Sequence, residues 1–217
     1  MDGSTNTMTP SVFIVDDDPA VRESLAMLIM AQGMHPVTFA NAQEFVRDYR
    51  EGEIGCMILD IRMPQMSGMA LQELLIQNDV TIPIIFITGH GDVEQCSRAF
   101  RAGAIDFLTK PIDTSRLIDS LRRGIRLSIQ QHKQETETLE VMQRLARISG
   151  REREVLEMVV EGLTSKEIAR AMELSHRTVE AHRANLFSKL GVESLADLIR
   201  FYLKALETTG MKRSSHG

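Results

Sequence analysis

The sequence has 217 residues, of which 43% are hydrophobic, and a net charge of -5. This length allows two modest domains, each with its own core. The first ten residues are polar without a basic segment, and no apolar run approaches the roughly 18 residues of a membrane span, so we expect a cytoplasmic protein. The two cysteines, Cys56 and Cys96, are too few for a disulfide framework.

Strands and helices alternate through the first half of the chain. Short apolar runs predict strands over residues 12–15, 36–39, 56–60, 83–88 and 105–108. Capping residues predict that the intervening helices begin near Asp18, Asn41, Ser67, Asp92, and Asp113 or Thr114. Such alternation favours right-handed crossovers and a parallel sheet covered on both faces. We therefore expect an α/β domain with a flavodoxin-like, five-stranded parallel sheet.

Polar residues follow four of these strands, where each apolar run stops. They are Asp16 with Asp17, Asp60, Thr88, and Lys110 followed by Pro111. In a parallel sheet the carboxyl ends of the strands form one edge, and ligands bind there where the strand order reverses. The sequence thus predicts that these dispersed residues form one site.

The residue types at this edge suggest a metal ion together with a phosphoryl group. Clustered carboxylates repel one another unless a hard cation such as Mg²⁺ lies among them. The ammonium of Lys110 and the hydroxyl of Thr88 suit phosphoryl oxygens. Asp60 stands alone at its strand end and is best placed as a nucleophile, while Asp16 and Asp17 would hold the metal. Taken singly, each residue also fits an ordinary cap or turn.

This constellation resembles the receiver domain of two-component response regulators over about residues 10 to 128. The resemblance implies that Asp60 is the phosphoacceptor and that Asp16 and Asp17 form the acidic pair. It implies that Mg²⁺ is bound by Asp17, Asp60 and the backbone carbonyl of Arg62. It further implies that Thr88 contacts the phosphoryl group, that Lys110 pairs with it before a cis bond to Pro111, and that Phe107 is an aromatic switch.

A polar stretch follows the fifth helix without any break in helical pattern. Residues 129–148 contain Leu139, Met142 and Leu145 at a spacing of three and contain no glycine or proline. We predict a helical linker. The pattern leaves open whether this helix is solvated or forms a dimeric coiled coil, since sustained heptads are lacking.

Residues 149–210 predict a compact all-helical domain. Four helices are indicated by caps and helix-ending glycines, beginning after Ser149, Thr164 and Ser175 and again near Ser194. The second and third are separated by a tight turn and have the proportions of a helix-turn-helix. The third should pack inward through Val179, Leu186, Phe187 and Leu190.

The opposite face of the third helix would then meet the major groove of DNA. That face carries Arg177, Glu180, Ala181, Ala184 and Ser188. The residues with phosphate-binding chemistry beside it are Lys166, Thr178, His182, Arg183 and Lys189. The segment from about Ser149 to Leu206 resembles a LuxR-type DNA-binding domain, which implies that Glu180, Ala181 and Ala184 face the bases.

A receiver joined to a LuxR-type domain resembles the FixJ/NarL group of response regulators. The resemblance implies a transcription factor rather than an enzyme, with Mg²⁺-dependent self-phosphorylation and autodephosphorylation. Its partners would be a sensor histidine kinase, promoter DNA and a second copy of the chain after phosphorylation or on DNA, without a membrane or a small-molecule ligand. Arg62 and His90 would tune the lifetime of the phosphoryl group.

The expected organisation has five parts: an extension over residues 1–10, a receiver over 11–128, the linker over 129–148, the DNA-binding domain over 149–210 and a flexible tail over 211–217. Two other functions fit parts of the sequence. The triplet Asp16 to Asp18 also fits an aspartate-nucleophile phosphatase of the haloacid dehalogenase type. A ligand-sensing LuxR-type regulator is disfavoured by an aromatic content of 5%.

Overall fold

A computed structural model of the chain describes residues 10–50, 52–89 and 98–209. The chain forms two compact units, which divide between Lys133 and Gln134. Among the described residues, no helix is both long enough and apolar enough to cross a membrane. Residues 1–9 of the extension predicted over 1–10 and the predicted tail over 211–217 lie outside the described residues.

The first unit is built on a five-stranded parallel sheet. The strand order is β2-β1-β3-β4-β5. Val15 pairs with both Phe39 and Leu59, which puts the ends of three strands level at the carboxyl edge. The predicted strands and the predicted fold class are confirmed, with bounds of β1 (Ser11–Val15), β2 (His35–Phe39), β3 (Gly55–Asp60), β4 (Ile84–Thr88) and β5 (Asp106–Thr109).

The helices begin where local caps predicted them. The side chains of Asp18, Asn41 and Ser67 each accept a hydrogen bond from a backbone N–H in the first turn that follows. The predicted helix start near Asp92 lies outside the described residues. The bounds are α1 (Pro19–Ala31), α2 (Ala42–Asp48), α3 (Gly68–Gln77), α4 (described over residues 98–101) and α5 (Thr114–Ala146).

Side chains alternate between two cores, one on each face of the sheet. On one face, Phe13, Met57 and Phe86 pack with residues of α2 and α3. On the other face, Ile14 and Ile58 pack with residues of α1 and α5. Because both faces are covered, the central strands β1, β3 and β4 are apolar between their ends, and their polar residues lie at the first or last position.

The helix α5 approaches the sheet closely at Gly124. A Cβ atom at this position would lie 2.4 Å from Sγ of Cys56 and 3.1 Å from Cδ1 of Ile105. One turn later, the hydroxyl of Ser128 accepts a hydrogen bond from the Gly55 N–H at 3.0 Å. Small side chains on this face of α5 therefore let the helix lie directly against the start of β3.

The predicted linker is the second half of α5, and the boundary between the units falls inside it. Val141 and Ile148 are buried in the core of the second unit, and Leu145 packs against that core. Leu139 and Met142 are exposed. The helical prediction is confirmed, and the coiled coil stays a prediction.

In its described residues, the second unit packs the end of α5 and four further helices around one core. Val155, Ile168, Val179 and Leu198, one from each of these four, are buried there. Capping boxes at Ser149 and Thr164 and the left-handed conformation of Gly191 define the helix ends that the sequence indicated. The bounds after the end of α5 are α6 (Gly150–Val160), α7 (Ser165–Ala171), α8 (His176–Leu190) and α9 (Leu195–Thr209).

Candidate functional site

Three of the predicted residues meet at the carboxyl edge of the sheet. Nζ of Lys110 lies 2.9 Å from Oδ2 of Asp16 and 3.0 Å from Oδ1 of Asp60. Asp16 follows β1 and Asp60 ends β3, the two neighbouring strands at which the strand order reverses. The ammonium of Lys110 therefore joins the two carboxylates across the crevice where ligands bind in such folds.

Backbone groups orient both carboxylates. The Asp18 N–H donates to Oδ1 of Asp16 at 2.9 Å, and the Arg62 N–H donates to Oδ2 of Asp60 at 2.7 Å. Each carboxylate thus uses one oxygen for the backbone and the other for Lys110. The two groups are fixed before any ligand arrives.

The carboxyl group of Asp60 is poorly solvated, since the residue is only 5% exposed. Burial raises its pKa, and the ammonium of Lys110 and the Arg62 N–H lower it without cancelling that effect, so the pKa lies above its ordinary value. Burial lowers the pKa of Lys110, but hydrogen bonds to Asp16 and Asp60 outweigh it and hold the pKa above its usual range. Lys110 therefore remains a cation at neutral pH.

Gly68 was not predicted as part of the site. A Cβ atom at this position would lie 2.2 Å from the backbone oxygen of Asp60. The Gly68 N–H also donates to the carbonyl oxygen of Ile61 at 3.0 Å. Only glycine lets α3 start so close to Asp60, and the available sequence signal was a glycine directly after the helix cap Ser67.

Thr88 and Phe107 lie on neighbouring strands beside this crevice. The Lys110 N–H donates to the Thr88 carbonyl oxygen at 2.8 Å, and the bond between Lys110 and Pro111 is cis, as the resemblance implies. Thr88 is fully buried, and Phe107 is 6% exposed. The switch hypothesis expects Phe107 to rotate inward, and in this structure the ring is already inside the core.

A buried carboxylate on β5 is a second feature that the sequence analysis missed. Oδ1 of Asp106 accepts from Nη2 of Arg116 at 2.6 Å and from the Phe107 N–H at 2.8 Å. Oδ2 accepts from the Ser120 hydroxyl at 2.6 Å and from Nη2 of Arg123 at 3.3 Å. Its signal was a charged residue inside an apolar strand, which burial tolerates only when the charge is paired.

The oxygen atoms around Asp60 match the ligands that Mg²⁺ prefers. Asp16 and Asp60 supply carboxylates, Asp17 follows with an exposed carboxylate, and Arg62 contributes a backbone carbonyl. Lys110 balances one of these negative charges, so the group remains anionic. Among residues 10–50, 52–89 and 98–209, however, no three Asp, Glu, His or Cys side chains form a group suited to a metal ion.

The side chains at this crevice are suited to phosphoryl transfer to a carboxylate. A buried anion at a strand end can act as a nucleophile, and a fixed cation beside it can stabilise phosphoryl oxygens. Asp16, Asp60 and Lys110 are in direct contact, and Thr88 is linked to Lys110 through the backbone.

The second predicted site lies on α8. Val179, Leu186 and Leu190 are buried, as the apolar stripe predicted, and Phe187 is half-buried. The residues predicted to face outward are exposed: Arg177, Glu180, Ala181, Ala184 and Ser188. Lys166 is also exposed, and Thr178, His182 and Arg183 are half-buried. The described geometry thus leaves this face available to a major groove.

Lys189 has a partner within the domain that the sequence did not predict, and its contact with phosphates stays a prediction. Its Nζ lies 2.8 Å and 2.7 Å from the two carboxylate oxygens of Glu152, which is almost fully buried near the start of α6. The hydrogen bond from Lys189, followed by that from the Ser149 N–H, holds the pKa of Glu152 below its ordinary value. This ion pair joins α6 to α8 within the domain. Removing Lys189 would leave the buried charge of Glu152 unpaired, which would destabilise the domain.

Comparison with protein families gives a match to each unit. The response regulator receiver domain matches residues 12–122, and the luxR family of bacterial regulatory proteins matches residues 146–202. The chain is similar to response regulator protein TmoT of Ectopseudomonas mendocina, with 39% identity over 195 residues that cover 90% of this chain and 89% of TmoT.

Two further proteins show the same similarity along most of the chain. Transcriptional regulatory protein FixJ of Azorhizobium caulinodans is 41% identical over 194 residues, which cover 89% of this chain and 92% of that protein. A low-resolution structure of response regulator StyR matches with a TM-score of 0.88 at 40% identity and covers 90% of this chain and 99% of its own.

Proposed function

The chain belongs to the response regulators that join a receiver domain to a LuxR-type DNA-binding domain, and we propose that phosphoryl transfer to Asp60 controls its activity as a transcriptional regulator. The donor would be a sensor histidine kinase in the cytoplasm. The observation that carries the proposal is the ammonium of Lys110, held between the carboxylates of Asp16 and Asp60.

In the proposed step, a carboxylate oxygen of Asp60 attacks the phosphorus atom of the phosphoryl donor. A P–O bond to Asp60 forms while the P–N bond to the histidine of the kinase breaks, and the histidine nitrogen keeps the electron pair. Lys110 turns from the carboxylate toward the phosphoryl oxygens, and the Thr88 hydroxyl donates to one of them. The Arg62 N–H keeps Asp60 oriented throughout.

The ligands for Mg²⁺ would be the carboxylates of Asp16, Asp17 and Asp60 and the backbone carbonyl of Arg62. When bound, the ion would neutralise charge on the transferred phosphoryl group. Loss of the phosphoryl group to water at the same site would return the protein to its starting state. Arg62, exposed two residues beyond Asp60, and His90, which lies outside the described residues, would set the rate of that loss.

Phosphorylation would act on the rest of the molecule through Thr88 and Phe107. The added group carries about 1.5 to 2 negative charges, which Lys110 and Thr88 would engage. This contact would favour the arrangement in which Phe107 is buried, as it is here. The face formed by α4, β5 and α5 would then pair with a second receiver.

Binding to promoter DNA would use two copies of the α8 face. Ala181 and Ala184 would offer methyl contacts and Glu180 would accept from cytosine N4. Arg177 would lie on the same face toward the groove. Contacts with phosphates would fix the orientation and would come from Lys166, Thr178, His182, Arg183 and Lys189. Two domains related by a two-fold axis would read half-sites about one helical turn apart.

The test uses purified full-length protein, a small-molecule phosphodonor and Mg²⁺. Asp60→Asn should take up no labelled phosphate and should stay monomeric in ultracentrifugation, whereas the wild type is labelled and associates. Asp18→Asn is the matched control, since Asp18 caps α1 and asparagine caps equally well. It should behave as the wild type.

Two results would contradict the proposal. One is labelling of Asp60→Asn at the wild-type level, and the other is equal association of both proteins. Label carried by Asp16 in place of Asp60 would point to the phosphatase alternative.

A further inference from the structure

A cavity separate from the crevice at Asp60 lies at the opposite edge of the sheet. It has a volume of about 320 Å³ and lies at the start of β4, between the end of α3, the turn at Ala102 and Gly103, and α5. Pro83 and Ile84 form its wall on the side of the sheet. Nothing in the proposed phosphoryl chemistry uses this cavity.

The orientation of the Gln72 side chain in this cavity is fixed by a hydrogen bond. Its Nε2 donates to the carbonyl oxygen of Ala102 at 3.2 Å. The reverse orientation would place two oxygen atoms against each other, so Oε1 must point away from Ala102. Gln72 is 2% exposed, and its Oε1 is buried without a hydrogen-bond partner. A buried acceptor left unpaired costs free energy, which a donor in the cavity would recover.

A second unpaired acceptor lines the same cavity. Oε1 of Gln131, on α5, is also buried without a partner. Asp79 adds a carboxylate, and among the described residues lining the cavity none is a lysine, arginine or histidine. Most of the remaining lining is apolar, including Leu75, Ile82 and Leu127, and Thr81 adds one polar side chain. The cavity therefore offers acceptors and one negative charge beside an apolar wall.

We propose that this cavity binds a small, flat organic cation of the amidinium or guanidinium type. Its N–H groups would donate to Oε1 of Gln72 and Oε1 of Gln131, and Asp79 would balance its charge. Its apolar part would lie against Leu75 and Ile82. The volume is about ten times the share of one water molecule in the liquid, which is enough room for a ligand of this size.

The probe for this site is benzamidine, which combines an amidinium with an apolar ring. Calorimetric titration of the full-length protein should show saturable binding to one site. Benzoate has the same ring but carries acceptors in place of donors, and it should not bind. A crystal soaked with benzamidine should show its nitrogen atoms at the two glutamine oxygens.

Two pairs of variants separate this site from non-specific binding. Gln131→Leu and Gln72→Leu should each weaken benzamidine binding about tenfold, since each leaves a donor of the ligand unpaired. Gln130→Leu and Gln77→Leu, at exposed neighbouring positions that do not line the cavity, should bind as the wild type does. Gln72→Leu also removes the hydrogen bond to Ala102 and could change the shape of the cavity. Gln131→Leu leaves that bond intact and tests the loss of the acceptor alone.

Three results would overturn the proposal. They are the absence of saturable benzamidine binding by the wild type, equal binding of benzoate, and wild-type affinity in Gln131→Leu.

Discussion

At the scale of single residues, Asp60 and Asp106 show how environment sets the behaviour of the same side chain. Both are almost fully buried. Among the described residues, Asp60 has one cationic partner, which it shares with Asp16, and one backbone N–H donor. Asp106 receives two arginine side chains, a hydroxyl and a backbone N–H. The ionised form of the first carboxylate is incompletely stabilised by its partners, and that of the second is fully paired.

This contrast predicts opposite effects of pH on stability in two asparagine variants. Burial raises the pKa of Asp60 in the folded protein above its ordinary value in the unfolded chain. The fold therefore loses stability as pH rises above about 4, and this loss is absent below that pH. Burial also raises the pKa of Asp106, but the bonds from Arg116 and Ser120 outweigh it, and the net pKa is lowered. Asp106 therefore stabilises the fold above about pH 4 and less below it.

The measurement is the melting temperature of each variant relative to the wild type between pH 3 and pH 7, in calorimetric scans. Relative to the wild type, Asp60→Asn should gain stability as pH rises, by a few degrees. Asp106→Asn should lose stability over the same range. The same sign of pH dependence in both variants would contradict this account.

At the scale of elements, the contact between α5 and β3 depends on the absence of a side chain at Gly124. Burial raises the pKa of the Cys56 thiol beneath it to about 12, so this residue packs as a neutral group. The contact brings the same helix that carries Arg116 and Ser120 against the sheet. Packing at Gly124 therefore helps to hold the partners of Asp106 in place.

Gly124→Ala should destabilise the protein even though alanine favours helices. Overpacking of a core costs roughly 1–3 kcal/mol, and the gain in helix propensity is about 1 kcal/mol, so we expect a net loss of about 1 kcal/mol. The free energy of unfolding in urea gives this value. In a protein that already carries Cys56→Ala, adding Gly124→Ala should cost much less stability than it does in the wild type.

A matched control exists at the start of α6. Nothing lies within 4 Å of a Cβ atom at Gly150, so Gly150→Ala should not lower stability. If Gly124→Ala were as stable as Gly150→Ala, the close approach of α5 to β3 would be wrong.

At the scale of the whole molecule, two exposed apolar surfaces could join copies of the chain on DNA. Leu195 and Leu203 are exposed on α9, and the half-buried Ile199 lies between them at the same spacing of four residues. Leu139 and Met142 are exposed on α5. The continuous stripe on α9 favours this helix as the contact between two DNA-binding domains.

Replacing Leu195 and Leu203 with serine should remove the contact between two DNA-binding domains. Binding to a two-half-site operator should weaken by about a hundredfold, because each domain would then bind its half-site independently. Binding to an isolated half-site should not change. Leu139→Ser with Met142→Ser is the matched control and should leave operator binding intact. All four positions are exposed, so neither double variant should unfold the domain. Quantitative footprinting measures both variants, and the reverse pattern would favour a coiled coil along α5.

Much of the fold could be predicted because its signals are local. The caps at Asp18, Ser67 and Thr164 act on backbone groups within three residues, and the apolar runs fix the strands without knowledge of their partners. The inward stripe of α8 followed from helical spacing alone. The convergence of Asp16, Asp60 and Lys110 could be predicted because all three follow parallel strands.

What the sequence by itself determined was therefore the order of the elements, the ends at which polar residues gather and the side of each helix that is buried. Only the tertiary structure decided that Lys189 pairs with Glu152, that Asp106 is held by α5 and that Gln72 points an unpaired oxygen into a cavity. These contacts join residues that are far apart in sequence, so their partners depend on how the helices dock rather than on any local spacing.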